Sequence, residues 1–176
     1  MKIKVRPAAQ ADAAVAVDVV RRSIQQLCVA DHQGDPATIA TWLANKTPEN
    51  FLLWLANPDN FCVVAESGNH LSGVGLLHRS GEIRLFYLAP NAQRQGIGTM
   101  VHAELEAAAR RWGLSALHLH STAMARPFYE ALGYHSTGAP VSRFGVLQCF
   151  PYAMPLQPDH SSKRTREKPR AAQLQR

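Results

Sequence analysis

The residues best suited to chemistry in this chain fall in one window, Phe86-Tyr87-Leu88-Ala89-Pro90-Asn91-Ala92-Gln93-Arg94-Gln95-Gly96-Ile97-Gly98-Thr99. An apolar strand-like run enters a glycine-bearing turn, and the turn opens a long segment with helical periodicity. The first N–H groups of a helix have no intrahelical acceptor and stand at the positive end of its dipole. Such a terminus is suited to a phosphate or pyrophosphate. Gly96 and Gly98 carry no β-carbon, so an anion can approach the backbone itself, and Arg94 can add a charge-assisted bond. Two familiar nucleotide sites are excluded. A dinucleotide fingerprint needs a third glycine where Val101 stands, and a P-loop needs Gly-Lys-Ser/Thr where Gly98-Thr99-Met100 stands.

The elements around this window follow from periodicity. Ile3 and Val5 alternate with basic residues as a short strand, and Ala11 to Cys28 carries apolar residues at amphipathic-helix spacing. A shorter helix is expected near Thr38–Asn45. Thr47-Pro48 then offers an N-cap and first-turn proline to a helix bearing Phe51, Trp54 and Leu55. Phe61–Glu66, Leu71–His78 and Glu82–Leu88 read as three strands joined by tight turns. The long helix runs from about Gly96 to Trp112, with Gly113 as its C-terminal glycine. Ala116–His120 is a strand, Arg126–Leu132 a short helix and Tyr134–Thr137 a brief strand. Gly138–Gly145 is expected as a loop. Val146–Met154 is a last strand that Pro151 should confine to an edge or a bulge. The sum is an α/β (α+β) fold, a mixed, mostly antiparallel twisted sheet of about six to seven strands with helices on both faces.

Composition sets the outer limits. The chain has 176 residues, 46% of them hydrophobic and 18% charged, which suits one folded domain. Cys28, Cys62 and Cys149 form no CxxC pair, so neither a zinc site nor a disulfide framework is expected. Asp12 and Asp18 interrupt the Ala/Val-rich start, which argues against a signal peptide, and no run has the apolar length of a membrane span. A cytoplasmic location is the expectation. The net charge of +6 suggests nucleic acid until the charges are located. From Gln157 onward six basic residues face only Asp159 and Glu167, so +4 of that charge lies in the last 20 residues. Residues 1–156 are therefore read as the domain and residues 157–176 as a basic disordered tail. The tail alone specifies no RNA or acidic partner.

Gln93-Arg94-Gln95-Gly96-Ile97-Gly98 resembles the Q/R-x-x-G-x-G/A signature of the GNAT superfamily of N-acetyltransferases. Ala125-Arg126-Pro127-Phe128-Tyr129-Glu130-Ala131-Leu132-Gly133-Tyr134 resembles that family's A-x-x-F/L-Y-x-x-x-G-F/Y segment, in the right order and at the right spacing. The resemblance implies acetyl-CoA as cosubstrate, held in a V between the fourth and fifth strands, and direct attack by an amine with no acyl-enzyme and no metal. It implies that backbone groups along Phe86-Tyr87-Leu88 meet pantetheine. Backbone N–H groups from Arg94 to Thr99, with Gln93 before them, would hold the pyrophosphate. The Leu88 N–H would polarise the thioester carbonyl, and Phe128 would flank the cofactor. Tyr129 occupies the family's position for the acid that protonates the departing thiolate.

The proton acceptor stays open among Glu82, His120 and His32. Where many relatives place a cofactor-binding asparagine, this chain has Ser121-Thr122, and a hydroxyl replaces only one of the amide's bonds. Trp42, Phe51 and Trp54 form either an apolar acceptor wall or part of the core. Cys62 and Cys149 are expected on strands away from the motif, and no cysteine nucleophile is expected. His118 and His120 share a strand face, but no third ligand accompanies them for a metal. The resemblance implies a small-molecule or protein amine as acceptor and, since many relatives dimerise, admits a homodimer. Two other functions compete with the enzyme: a non-catalytic acyl-CoA-binding module on the same fold, and an RNA-associated protein acting through its tail.

Overall fold

The computed structural model describes residues 2–157. All but the first residue of the expected basic tail, and with it the RNA-associated reading, lies outside the described residues. The described chain forms eight strands and six α-helices in an α/β arrangement of antiparallel ladders. Strand β1 (Ile3–Pro7) leads through a single 3-10 turn into α1 (Ala13–Leu27). Three short helices follow: α2 (Val29–His32), α3 (Pro36–Leu43) and α4 (Pro48–Ala56). Asp35 and Thr47 accept N–H bonds from Thr38 and Asn50, and each is followed by a first-turn proline. This is the start signal read at Thr47, and it also moves α3 two residues earlier than expected.

Strands β2 (Asn60–Ser67), β3 (His70–His78) and β4 (Ile83–Leu88) complete a sheet ordered β1-β2-β3-β4. Alternation along β3 decides what each face holds. Gly75 lies under α5 (Ile97–Arg111), where a β-carbon would come within 2.7 Å of Val101 Cγ1. Val74 and Leu76 point to the other face, against α1. The sheet is thus clad by α5 on one side and by α1 on the other. Buried Val17, Val20 and Ile24 of α1 and Val101 and Leu105 of α5 fill the two interfaces.

A second sheet holds β5 (Ala116–Ser121), β8 (Leu147–Pro155) and β6 (His135–Ser136), with β7 (Val141–Arg143) also on β8. α6 (Arg126–Ala131) lies between β5 and β6. The stretch expected as a loop over Gly138–Gly145 therefore contains a strand. β8 is not an edge strand either, and no bulge marks Pro151, which pairs with His120 of β5. On its other side β6 ends at Ser136 opposite Tyr152, and β7 begins at Val141 opposite Cys149. Pro151 falls in the gap between them, and its carbonyl accepts from Thr137 N at 3.0 Å. The missing prolyl N–H faces a break in the ladder, so the ladder loses no bond there.

The two sheets meet at one point. Gly81 O accepts from His118 N at 3.0 Å, and Glu82 and His118 form a single parallel bridge. Beyond it β4 and β5 diverge.

Candidate active site

The divergence of β4 from β5 makes a fork with free backbone on its inner edge. Ala89 N donates to Ser72 O of the β3 side at 2.9 Å, and Val74 pairs with Tyr87. In an antiparallel ladder the residues alternate between facing and turning from the partner. Tyr87 thus bonds to β3, while the N–H and C=O groups of Phe86 and Leu88 point into the fork. The fork opens on a cleft of about 840 Å³.

Ten of the residues expected at the site line this cleft: Glu82, Phe86, Tyr87, Leu88, Gln93, Arg94, His120, Ser121, Phe128 and Tyr129. Gln95, Gly96, Ile97, Gly98 and Thr99 do not. They form the turn that continues from Arg94 into α5. Ile97 is 1% exposed and belongs to the core. Gln95 Nε2 donates to Asn91 O at 2.8 Å and braces the turn.

The turn itself fits a diphosphate. Gly96, the N-cap of α5, has φ +76°, and a β-carbon there would meet nothing within 4 Å. No side chain caps α5, and no acidic residue stands in its first turn. Its leading N–H groups keep their positive field uncompensated. Gly98 is needed for a different reason. A β-carbon there would sit 3.1 Å from Phe128 Cζ, so glycine lets the Phe128 ring close on the helix beside Leu88.

Tyr129 is buried among Phe86, Phe128 and Tyr134, with ring centroids 5.8, 5.3 and 5.4 Å away. Burial, and then the nearby Tyr87 phenol, push its phenol above the usual tyrosine range, so it stays protonated at neutral pH. Glu82 accepts from Arg84 Nε at 2.9 Å. Burial, reinforced by Arg143 and opposed by Glu82, holds the His120 imidazole below its ordinary value, so the neutral ring predominates at pH 7. Ser121 Oγ donates to Thr122 O at 2.8 Å, so its hydroxyl hydrogen is already used within the loop.

Several expectations need correction. His32, one of the three candidate proton acceptors, lies in α2, is 2% exposed and does not line the cleft. Cys149 is not remote, for it and Cys28 both line the cleft. Burial pushes both thiols up, Cys28 to about 12, so neither supplies a thiolate nucleophile. The three aromatic residues divide. Trp42 lines the cleft, donates to Tyr87 Oη at 3.3 Å and stacks on Phe144 at 6.2 Å. Phe51 is core, and Trp54 lines a smaller neighbouring cavity.

Asp31 is a residue that sequence reading missed. It is 6% exposed, and its Oδ1 accepts from Ala123 N at 2.7 Å, tying α2 to the loop that follows β5. Among the described residues its Oδ2 has no hydrogen-bond partner. Burial pushes this carboxyl above the usual range, against the opposing N–H groups of Ala123 and Met124. A raised folded-state value stabilises the fold below the unfolded pKa of ~3.9, and that stability is lost as pH rises through the folded value. The melting-temperature advantage of wild type over Asp31→Asn should therefore shrink between pH 4 and pH 7. A constant difference across that window would show that Asp31 ionises as it does in the unfolded chain.

Comparison with known proteins agrees with this geometry. The family model described as an acetyltransferase (GNAT) domain matches residues 18–156. No curated protein matches the chain. Among solved structures, a GCN5-related N-acetyltransferase from Rhodopseudomonas palustris superposes with a TM-score of 0.78 at 23% identity, covering 89% of this chain and 97% of that one. The PaiA N-acetyltransferase of Thermoplasma acidophilum, in complex with coenzyme A, gives 0.75 at 20% identity over 89% and 100%. YncA of Salmonella typhimurium, with acetyl-CoA, gives 0.68 at 18% over 90% and 98%. At these identities the structures establish a shared fold. With the family model covering most of the chain, the protein belongs to the GNAT acetyltransferase domain family.

Proposed function

We propose that the protein moves the acetyl group of acetyl-CoA to a primary amine by direct attack. The observation that carries this reading is the fork. Two outward-facing β4 residues, Phe86 and Leu88, lead along one edge to the uncapped N-terminus of α5. Phe86 and Leu88 backbone groups would pair with pantetheine as a strand would, and the N–H groups from Arg94 to Thr99 would hold the diphosphate with Arg94 beside them. The Leu88 N–H would face the thioester oxygen as it gains negative charge, an interaction typically worth ~2.7–4 kcal/mol. His120 is assigned the proton of the attacking amine, because its ring is neutral at pH 7 whereas Glu82 is paired with Arg84. Tyr129 is assigned the proton that the departing thiolate takes up. Three buried free cysteines suit a reducing compartment, and the proposed location is the cytoplasm.

The test is thiol release from acetyl-CoA over a panel of amines, read from pH 5 to 10. Amine-dependent release with an acid limb below pH 7 is expected. Tight coenzyme A binding with no release from any amine would favour a silent acyl-CoA-binding module instead.

A further inference from the structure

Among the described residues lining the cleft, Lys46, Arg84, Arg94 and Arg143 stand against the single carboxylate of Glu82. Lys46, between α3 and α4, lines the cleft and also the smaller cavity of about 160 Å³, as do Asn45 and Arg84. Its side chain is deeply buried, 7% exposed for the residue. Nζ donates to Asn45 Oδ1 and stands 5.9 Å from the Trp54 ring, and no carboxylate pairs with it among the described residues. An ammonium removed from water without a counter-charge is poorly stabilised. Its affinity for a proton falls accordingly, to about 8. Arg84 engages Glu82 through Nε, which leaves its terminal N–H groups free to donate. Arg143 also lines the cleft. Against these, Glu82 is the one carboxylate among the described lining residues. Trp42, Tyr87 and Phe144 add aromatic surface to the lining.

We propose that the acceptor is an amine bearing its own carboxylate on an apolar body, an amino-acid-like molecule whose carboxylate meets Lys46 and Arg84. The amine part rests on the transferase reading above; the anion pocket rests on the residues alone. A carboxylate completes the coordination that Lys46 lacks, and a charge-assisted bond to it is among the stronger polar contacts available. Polyamines and basic peptide termini would instead bring positive charge to a lining that already holds Lys46, Arg84 and Arg143.

The experiment is calorimetry on the coenzyme A-bound protein with 3-phenylpropionate and its carboxamide, in wild type, Lys46→Met and Arg84→Gln. The carboxylate should bind wild type at least about tenfold more tightly than the carboxamide, and Lys46→Met should level the two. Arg84→Gln, a change at an exposed side chain, should reduce the preference while leaving the melting temperature unchanged. In lysine-selective NMR, 3-phenylpropionate should raise the Lys46 titration midpoint. Equal binding of the two probes to wild type overturns the pocket, as does a preference that survives both substitutions. A carboxylate preference without thiol release from any amine supports the pocket and overturns the transferase reading. Thiol release that uses phenylalanine and phenylalaninamide equally, with level probe binding, overturns the pocket alone.

Discussion

Tyr129→Phe should lower kcat by about 10²-fold and leave the acetyl-CoA Kd within about twofold of wild type. The substitution removes one oxygen from a ring held by Phe86, Phe128 and Tyr134, so packing and fold persist. What changes, on the proposed mechanism, is proton supply to the sulfur that leaves. General-acid effects span ~10²–10⁴, and the lower end is expected here. Burial raises the phenol above its ordinary value, which makes the proton harder to release even though the acid form is fully populated. For the same reason no alkaline limb from this residue should enter the rate profile below pH 10. Stopped-flow turnover beside equilibrium titration separates the two quantities. A kcat within threefold of wild type would reduce Tyr129 to a packing residue.

Gly81→Ala should cost the fold about 3 kcal/mol, near 10 °C in melting temperature for a domain of this size. Two costs coincide at this residue. Its φ of +92° is strained for any residue with a β-carbon, and that β-carbon would lie 2.7 Å from Ala116 O, a backbone atom that cannot turn aside. Relief requires moving β5 away, yet Gly81 O and the Glu82–His118 bridge hold the two sheets together. The variant should therefore also weaken acetyl-CoA binding, because the angle of the fork is set there. Gly113→Ala is the control, with φ +71° and nothing within 4 Å of the added atom. It should lose only the conformational part, about 1–2 kcal/mol. Equal melting temperatures for the two variants would show that the collision at Ala116 is absorbed elsewhere.

The fold was readable wherever local spacing carried the information. The long helix after Gly96, the Thr47-Pro48 helix start and the turn at Gly81 are short-range signals, and each lies where expected. Gln93 and Arg94, the first two residues of the Gln93–Gly98 run, line the cleft. Misreadings cluster where distant segments meet. β7 exists because β8 offers it an edge, which residues 141–143 do not announce. Pro151 is tolerated in an inner strand because β6 stops and β7 starts on either side of it. Trp42 and Phe51 have the same helical character in sequence, yet only Trp42 finds a cleft-facing partner in Tyr87. Lys46 and Asp31 resemble surface charges until the helices around them close, so no local pattern marks either as buried.

The single rung between the sheets has a thermodynamic corollary. A chain-like ligand that bonds the inner edge of β4 acts as a ninth strand, supplying cross-links the polypeptide omits. Its binding energy then adds to resistance against unfolding, by ~2.7 kcal/mol when the ligand stands at a hundred times its Kd. Amide exchange at Phe86 and Leu88 should slow in step, and with the coenzyme bound as proposed in the wedge between β4 and β5 the protein's durability should track coenzyme supply.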